Sequence, residues 1–202
     1  ISEAIALSAT REQGGSNDKY NEFVTDVMKM SIPISLKAYV STDPDGKFDR
    51  TIVEFCCSSD SLLGRRTVYS KGCRVIRITE DLDGKSMDAA FLAAKGCISR
   101  GAMLFASIPC TGGCGWTHIN KATPGGWSKI RAHVKEMIPL FRAFEGLCNI
   151  ARNHGCFICI EWPTGCTYWK RKDVKRVLSR FALDEVKFNG CAVGLESKEG
   201  LP

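Results

Sequence analysis

Several features are missing from this chain, and each absence narrows the reading. No apolar run approaches the roughly 18–20 residues of a membrane span, so no membrane partner is expected. No basic-then-apolar leader opens the chain, and no secretory signal is expected. There is no internal repeat and no long low-complexity tract, which argues against a solenoid or a disordered linker. Charge of one sign does not dominate: a net charge of +6 mildly favours polyanionic partners and decides nothing by itself. Cysteine, by contrast, is abundant. There are 11, an odd number, and many lie in apolar runs, among them Cys56, Cys57, Cys73, Cys156 and Cys191. Buried free thiols in a reducing compartment explain this better than a disulfide framework, so an intracellular location (cytoplasm or nucleus) is expected.

The chain has 202 residues, 44% hydrophobic and 25% charged, enough for one globular domain with a sizeable core. It opens on Ile1 and closes on Leu201-Pro202 just after a strand-like run, as a segment cut from a longer polypeptide would. Residues 1–50 read as an N-terminal extension. In it, residues 1–17 form a loose lead-in around Gly14-Gly15-Ser16, Asp18–Met30 a helix and Ile34–Val40 a strand; Asp43-Pro44-Asp45-Gly46 is a turn signal. Residues 51–202 alternate. Strands are expected at Thr51–Cys57, Cys73–Thr79, Ala102–Ile108, Cys156–Ile160 and Val186–Val193. Helices are expected at Asp60–Ser70, Lys85–Ala94, Ser128–Arg152 and Lys170–Phe181. The pattern predicts an α/β fold: a Rossmann-like, mostly parallel sheet with helices on both faces. The long helix carries an apolar stripe, Ile130, Val134, Met137, Phe141, Phe144 and Cys148, with Pro139 expected to kink it. In the later helix the stripe is Val174, Val177, Leu178 and Phe181.

In open parallel sheets ligands collect where strands exit at their carboxyl ends. At the first exit, Val53–Gly64, a buried strand runs into Ser58, Ser59, Asp60 and Ser61, which can cap a helix whose amides face a ligand; an ordinary βα turn is the alternative. At the second, Glu80 or next Asp81 is placed to accept ribose hydroxyls, or is a surface acidic turn. The third, Ser107-Ile108-Pro109-Cys110-Thr111-Gly112-Gly113-Cys114-Gly115-Trp116, is the most specific stretch. Pro109 stiffens the backbone and the glycines let the loop hinge over a substrate. Cys110 is a nucleophile if its pKa is lowered, and a structural thiol otherwise.

These stretches resemble the cytosine-5 DNA methyltransferase family. Phe55 and Leu63-Gly64 match the family's first motif, Pro109-Cys110 its catalytic Pro-Cys, and Glu161-Trp162-Pro163 resembles its Glu-Asn-Val, over roughly residues 51–195. A closer likeness is to methyltransferase-like segments of mobile-element or viral polyproteins. The chain departs from the family in having Cys57, Ser59 and Asp60 where turn glycines stand, Thr111 after the Pro-Cys, and no Gln-x-Arg-x-Arg segment. The resemblance implies a methyltransferase that uses S-adenosylmethionine and acts on nucleic acid. Phe55, Cys57, Ser59, Asp60, Glu80, Asp81, Ser107 and Pro109 would line the cofactor. Cys110 would attack C6 of a cytosine and Glu161 would bond its N3. Lys170, Arg171, Lys172 and Lys175 would hold phosphates and Trp116 would stack on bases, beside the plain alternative of a solvated helix face.

Two other functions compete: a methyltransferase with an RNA or small-molecule acceptor, and a catalytically inactive binding or structural module of a polyprotein. Structural zinc on Cys110, Cys114 and His118 is disfavoured, because the spacing spans glycines and lacks a second knuckle.

Overall fold

The computed structural model describes residues 2–8, 39–41, 48, 50–57, 61, 63, 72–79 and 94–189. The run of apolar and β-branched residues from Thr51 suits a strand covered on both faces. It forms β3 (Arg50–Cys57), the third of seven strands among the described residues, after β1 (Ser2–Ser8) and β2 (Tyr39–Ser41). Then come β4 (Cys73–Thr79) and β5 (Met103–Ala106), the helices α1 (Thr117–Lys121) and α2 (Gly126–Asn153), and β6 (Phe157–Pro163). A 3-10 turn (Thr167–Lys170), α3 (Lys172–Arg180) and β7 (Asp184–Asn189) close the described chain.

One sheet holds all seven strands in the order β2-β4-β3-β5-β6-β1-β7. Its centre, β4-β3-β5-β6, is all parallel. Taken in chain order these four strands lie second, first, third, fourth, so the order reverses between β3 and β5. β2 pairs antiparallel with β4, and β1 pairs antiparallel with both β6 and β7. The α/β class is therefore present, with an antiparallel strand at each flank of the parallel run.

β1 corrects the expected loose lead-in over residues 1–17. Ala4–Leu7 is a short apolar run that gains a hydrogen-bonded neighbour on each side, and that long-range pairing outweighs the polar residues around it. Two of the seven strands thus precede residue 51. The expected helix at Asp18–Met30 and most of those at Asp60–Ser70 and Lys85–Ala94 lie outside the described residues; 94–97 is helical. β6 runs on to Pro163, so Glu161 belongs to the strand and not to the loop after it.

Alternation along the strands sorts the faces. Val53, Phe55, Ile76, Ile78, Leu104, Ala106, Ile158, Ile160 and Trp162 are buried in one core with α2 and α3. The helix stripe is as expected: Ile130, Met137, Phe141, Phe144 and Cys148 are buried and Val134 is half-buried. The helix runs unbroken through Pro139, which lies exposed on the solvent side, where the Lys135 carbonyl it leaves free can turn to water. Gly126, the first residue of α2, packs against the Asn120 carbonyl with no space for a β-carbon. α3 buries Val174 and Val177, and Arg176 and Arg180 reach Glu145 of α2 at 3.2 and 3.5 Å.

The core assignment is testable. Phe144 is fully buried, its ring 6.1 Å from that of Phe141. Phe144→Ala is expected to cost about 3–5 kcal/mol in urea unfolding. Lys135→Ala, on the exposed face of the same helix, is expected to stay within about 0.5 kcal/mol of the parent.

Candidate functional site at the strand exits

The reversal point between β3 and β5 is tied by a bond past the ladder: the Ser107 N–H donates to the Phe55 carbonyl at 3.0 Å. One residue on, β5's exit is held from the other side. The Trp162 indole N–H, on β6, donates to the Ile108 carbonyl at 2.6 Å, with both residues buried. Trp162 stacks on Phe141 with ring centres 6.0 Å apart and meets Tyr168 and Trp169 edge-on at 5.5 and 4.9 Å. Trp162 and Tyr168 are thus packing residues, whereas Trp116, expected to stack on bases, stands out into solvent.

From this anchored exit the chain enters a helical turn. The Cys110 carbonyl accepts from the N–H groups of Gly113 and Cys114 at 2.7 and 2.9 Å. Gly112 and Gly113 are buried, and a β-carbon on either would collide with Tyr168. The Gly113 carbonyl accepts from the Thr167 N–H at 2.7 Å. This corrects the expected hinge: the glycine pair permits close packing on the 3-10 turn, and the loop is held in place.

Cys110 is half-buried, beside Cys114 and Glu161. Burial, then the neighbouring Cys114 and Glu161, push its thiol up to about 11. At pH 7 roughly one such thiol in ten thousand is ionised, so the resting group is not the activated nucleophile the sequence allows for. Cys166 closes the cluster. It is buried, with its thiol pushed up to about 12 by burial first, and Cys110, Cys114 and Glu161 among its neighbours. Tyr168 is pushed to about 12, again mainly by burial. All ten cysteines among the described residues are free. Among those residues no group of three or more His, Cys, Asp and Glu could hold a metal ion; the His118 side chain lies outside what is described.

The expected cofactor residues divide. Ser107 and Pro109 are half-buried at the rim. The Phe55 side chain is fully buried in the core, so only its backbone reaches the rim. Cys57 is buried too; its thiol donates to the Glu54 carbonyl at 3.7 Å and is pushed to about 12 by desolvation, which leaves a packing group. Ser59, Asp60, Glu80 and Asp81 lie outside the described residues. Of the expected phosphate-binding residues, Arg171 is engaged elsewhere: it grips Asp173, in the first turn of α3, with two bonds of 3.0 and 2.7 Å, and Asp173 also accepts from the Val174 N–H. Lys170, Lys172 and Lys175 are exposed.

Two features escape sequence reasoning. Cys56 has φ of 61°, left-handed for a non-glycine residue, at a shift of the β3–β4 register. Glu54 is a carboxylate inside β3, 2% exposed, bonded by the Ser61 hydroxyl and 3.7 Å from Arg77 on β4. Burial raises its pKa, while Ser61, Cys57 and Arg77 oppose that rise. The Arg77 guanidinium also donates to the Ser61 carbonyl, so the pair fixes the start of the segment that leaves β3.

No protein-family model, no curated protein and no solved structure matches this chain.

The thiol environment predicts a pH profile. Alkylation of Cys110 by iodoacetamide, followed by peptide mass spectrometry, should accelerate about tenfold per pH unit from pH 7 and show no plateau below pH 10. Glu161→Gln removes one of the raising charges, so Cys110 should react faster at any given pH. A plateau near neutrality in the parent would mean that the thiol is not held protonated.

Proposed function

We propose that this chain is a Rossmann-like methyltransferase domain that uses S-adenosylmethionine and acts on nucleic acid at cytosine C5. The observation that carries the reading is positional. Cys110 follows the exit of β5, next to the reversal between β3 and β5, and Glu161 near the end of β6 is its electrostatic neighbour. Doubly wound sheets with the order second, first, third, fourth bind ligands at that crevice.

The described rim fits the cofactor's charge: the nearby Ser107, Pro109, Cys57 and Cys110 are neutral, and Glu161 favours a sulfonium. When bound, S-adenosylmethionine would supply an electrophilic methyl group. The chain's own residues would do the rest. Cys110, once its proton has passed to water, adds to C6 and pushes electron density toward C5 and N3; after C5 has taken the methyl group and given its own proton to water, the C6–S bond breaks and the thiolate leaves. Glu161, once it has taken up a proton from water, donates a hydrogen bond to N3 and stabilises that density. The same bond offsets the charge that keeps the Cys110 thiol protonated in the resting state, so acceptor binding and nucleophile activation are coupled. The packed Gly112-Gly113 pair and the Trp162 anchor hold the thiol in position.

A non-catalytic module is the second reading, favoured by the same raised thiol. Two measurements separate them. Titration calorimetry with S-adenosylmethionine should give saturable binding to the full chain, and to Cys110→Ser equally. A single-stranded oligonucleotide bearing a cytosine with fluorine at C5, offered with the cofactor, should form an adduct located at Cys110 by mass spectrometry. That adduct should be absent in Cys110→Ser. Methyl transfer without an adduct would exclude the C5 mechanism, and absence of cofactor binding would falsify the enzyme reading altogether.

A further inference from the structure

Three of the large apolar side chains exposed among the described residues fall within one short stretch: Trp116 at 71%, Ile119 at 60% and Trp127 at 56%. Rings held this far out in water commonly mark a contact surface. These lie on a fixed corner. α1 is short, and Gly126 lies hard against Asn120, which closes the corner between α1 and α2. The Lys121 ammonium sits 4.8 Å from the centre of the Trp127 ring. Lys129 and Arg131 follow on the exposed first turns of α2. Along the sequence the charge here is of one sign: no acidic residue lies between Asp88 and Glu136. The corner is joined to the candidate site by backbone bonds, Cys114 N–H to the Cys110 carbonyl and Thr117 N–H to the Cys114 carbonyl.

We propose that this α1–α2 corner is a binding platform for single-stranded nucleic acid. Planar indoles beside cations suit a chain of alternating bases and phosphates. A duplex keeps its base faces stacked inside and can offer the corner only phosphates; a single strand offers both. An anionic membrane fits less well. An interfacial helix needs a long apolar face, whereas α1 has five residues and α2 turns Lys129, Arg131 and Lys135 outward. The α3 face, where sequence reasoning places the phosphates, is weaker, because Arg171, Arg176 and Arg180 already pair with acids. The inference rests on the acceptor class proposed above and adds the surface and the strandedness.

The test is fluorescence anisotropy of the full chain with a labelled single strand of about twelve nucleotides, its duplex, and phosphatidylserine vesicles as competitor. The single strand should bind more tightly than the duplex. Trp116→Ala with Trp127→Ala should weaken single-strand binding at least about thirtyfold, from two lost stacking contacts. Both rings are exposed, so the fold should survive, checked by circular dichroism. Replacing Lys170, Lys172 and Lys175 with alanine should change affinity by no more than about threefold. The platform is overturned if the double tryptophan variant binds as the parent does, if the duplex binds as tightly as the single strand, or if only vesicles bind in a tryptophan-dependent way. Its failure is separable from that of the enzyme reading. Cofactor binding and a Cys110 adduct with unaltered tryptophan variants would sink the platform alone. Tryptophan-dependent strand binding with no cofactor affinity would sink the enzyme alone.

Discussion

The exit of β5 is held by two hydrogen bonds that do not belong to the strand ladders, and the candidate site is built on them. Ser107 donates back to Phe55 and thereby joins β5 to β3; Trp162 donates to Ile108 and joins β6 to β5. A buried indole N–H without a partner would cost about 1–3 kcal/mol, so the Ile108 carbonyl is a strong constraint on where the loop can go. The same ring stacks on Phe141 and meets Tyr168 edge-on, which ties the loop to α2 and to the 3-10 turn. Because Gly112 and Gly113 then press on Tyr168, Cys110 has little freedom relative to Glu161. The position of one thiol is thus a property of the whole carboxyl rim of the sheet.

How much of this was legible follows from the range of each interaction. β3, β4, α2 and α3 were legible because their signals are local: a continuous apolar run for a doubly covered strand, and a stripe of period near 3.6 for each helix. β1 was not, since its ladder partners lie at the opposite end of the chain and four apolar residues in a polar setting carry no periodicity. β6 was read short because Glu161 ends its apolar run, although the backbone goes on pairing with β1 as far as Pro163. Cys110 and Glu161 could be found because strand exits are where chemistry is expected, whatever the rest of the fold. Glu54 could not, because one carboxylate inside an apolar run shows no sign of Arg77 or Ser61, which meet it only after β3 and β4 pair. The glycine pair was misread for a related reason. Glycine serves a hinge and a tight contact equally well, and Tyr168, which decides between them, lies far along the chain.

Charge is divided between the two basic surfaces in different ways. At α3, Asp173 and Glu145 engage three arginines, and these pairs hold its first turn and fasten it to α2. Those cations serve the fold, and binding a phosphate there would compete with contacts already made. At the α1–α2 corner the described cations instead stand beside exposed indoles, in a stretch of sequence without a carboxylate. Similar numbers of basic residues therefore carry different meanings, and only their partners distinguish them.

The protonated state of Cys110 bears on why a nucleophile would be placed among groups that suppress it. Burial, Cys114 and Glu161 all favour the thiol over the thiolate. A thiolate at neutral pH would be open to oxidation and to stray electrophiles whether or not an acceptor was present. A thiol held near pH 11 is inert until something changes its surroundings. Of the three causes, the Glu161 charge is one that a ligand can offset without rearranging the fold, whereas Cys114 is held by its bond to the Cys110 carbonyl. On the proposed reading, a base whose polar edge meets Glu161 would act on that charge. If the proposed function holds, reactivity would depend on an acceptor being seated, and the raised thiol that counts against catalysis would become a condition for selectivity.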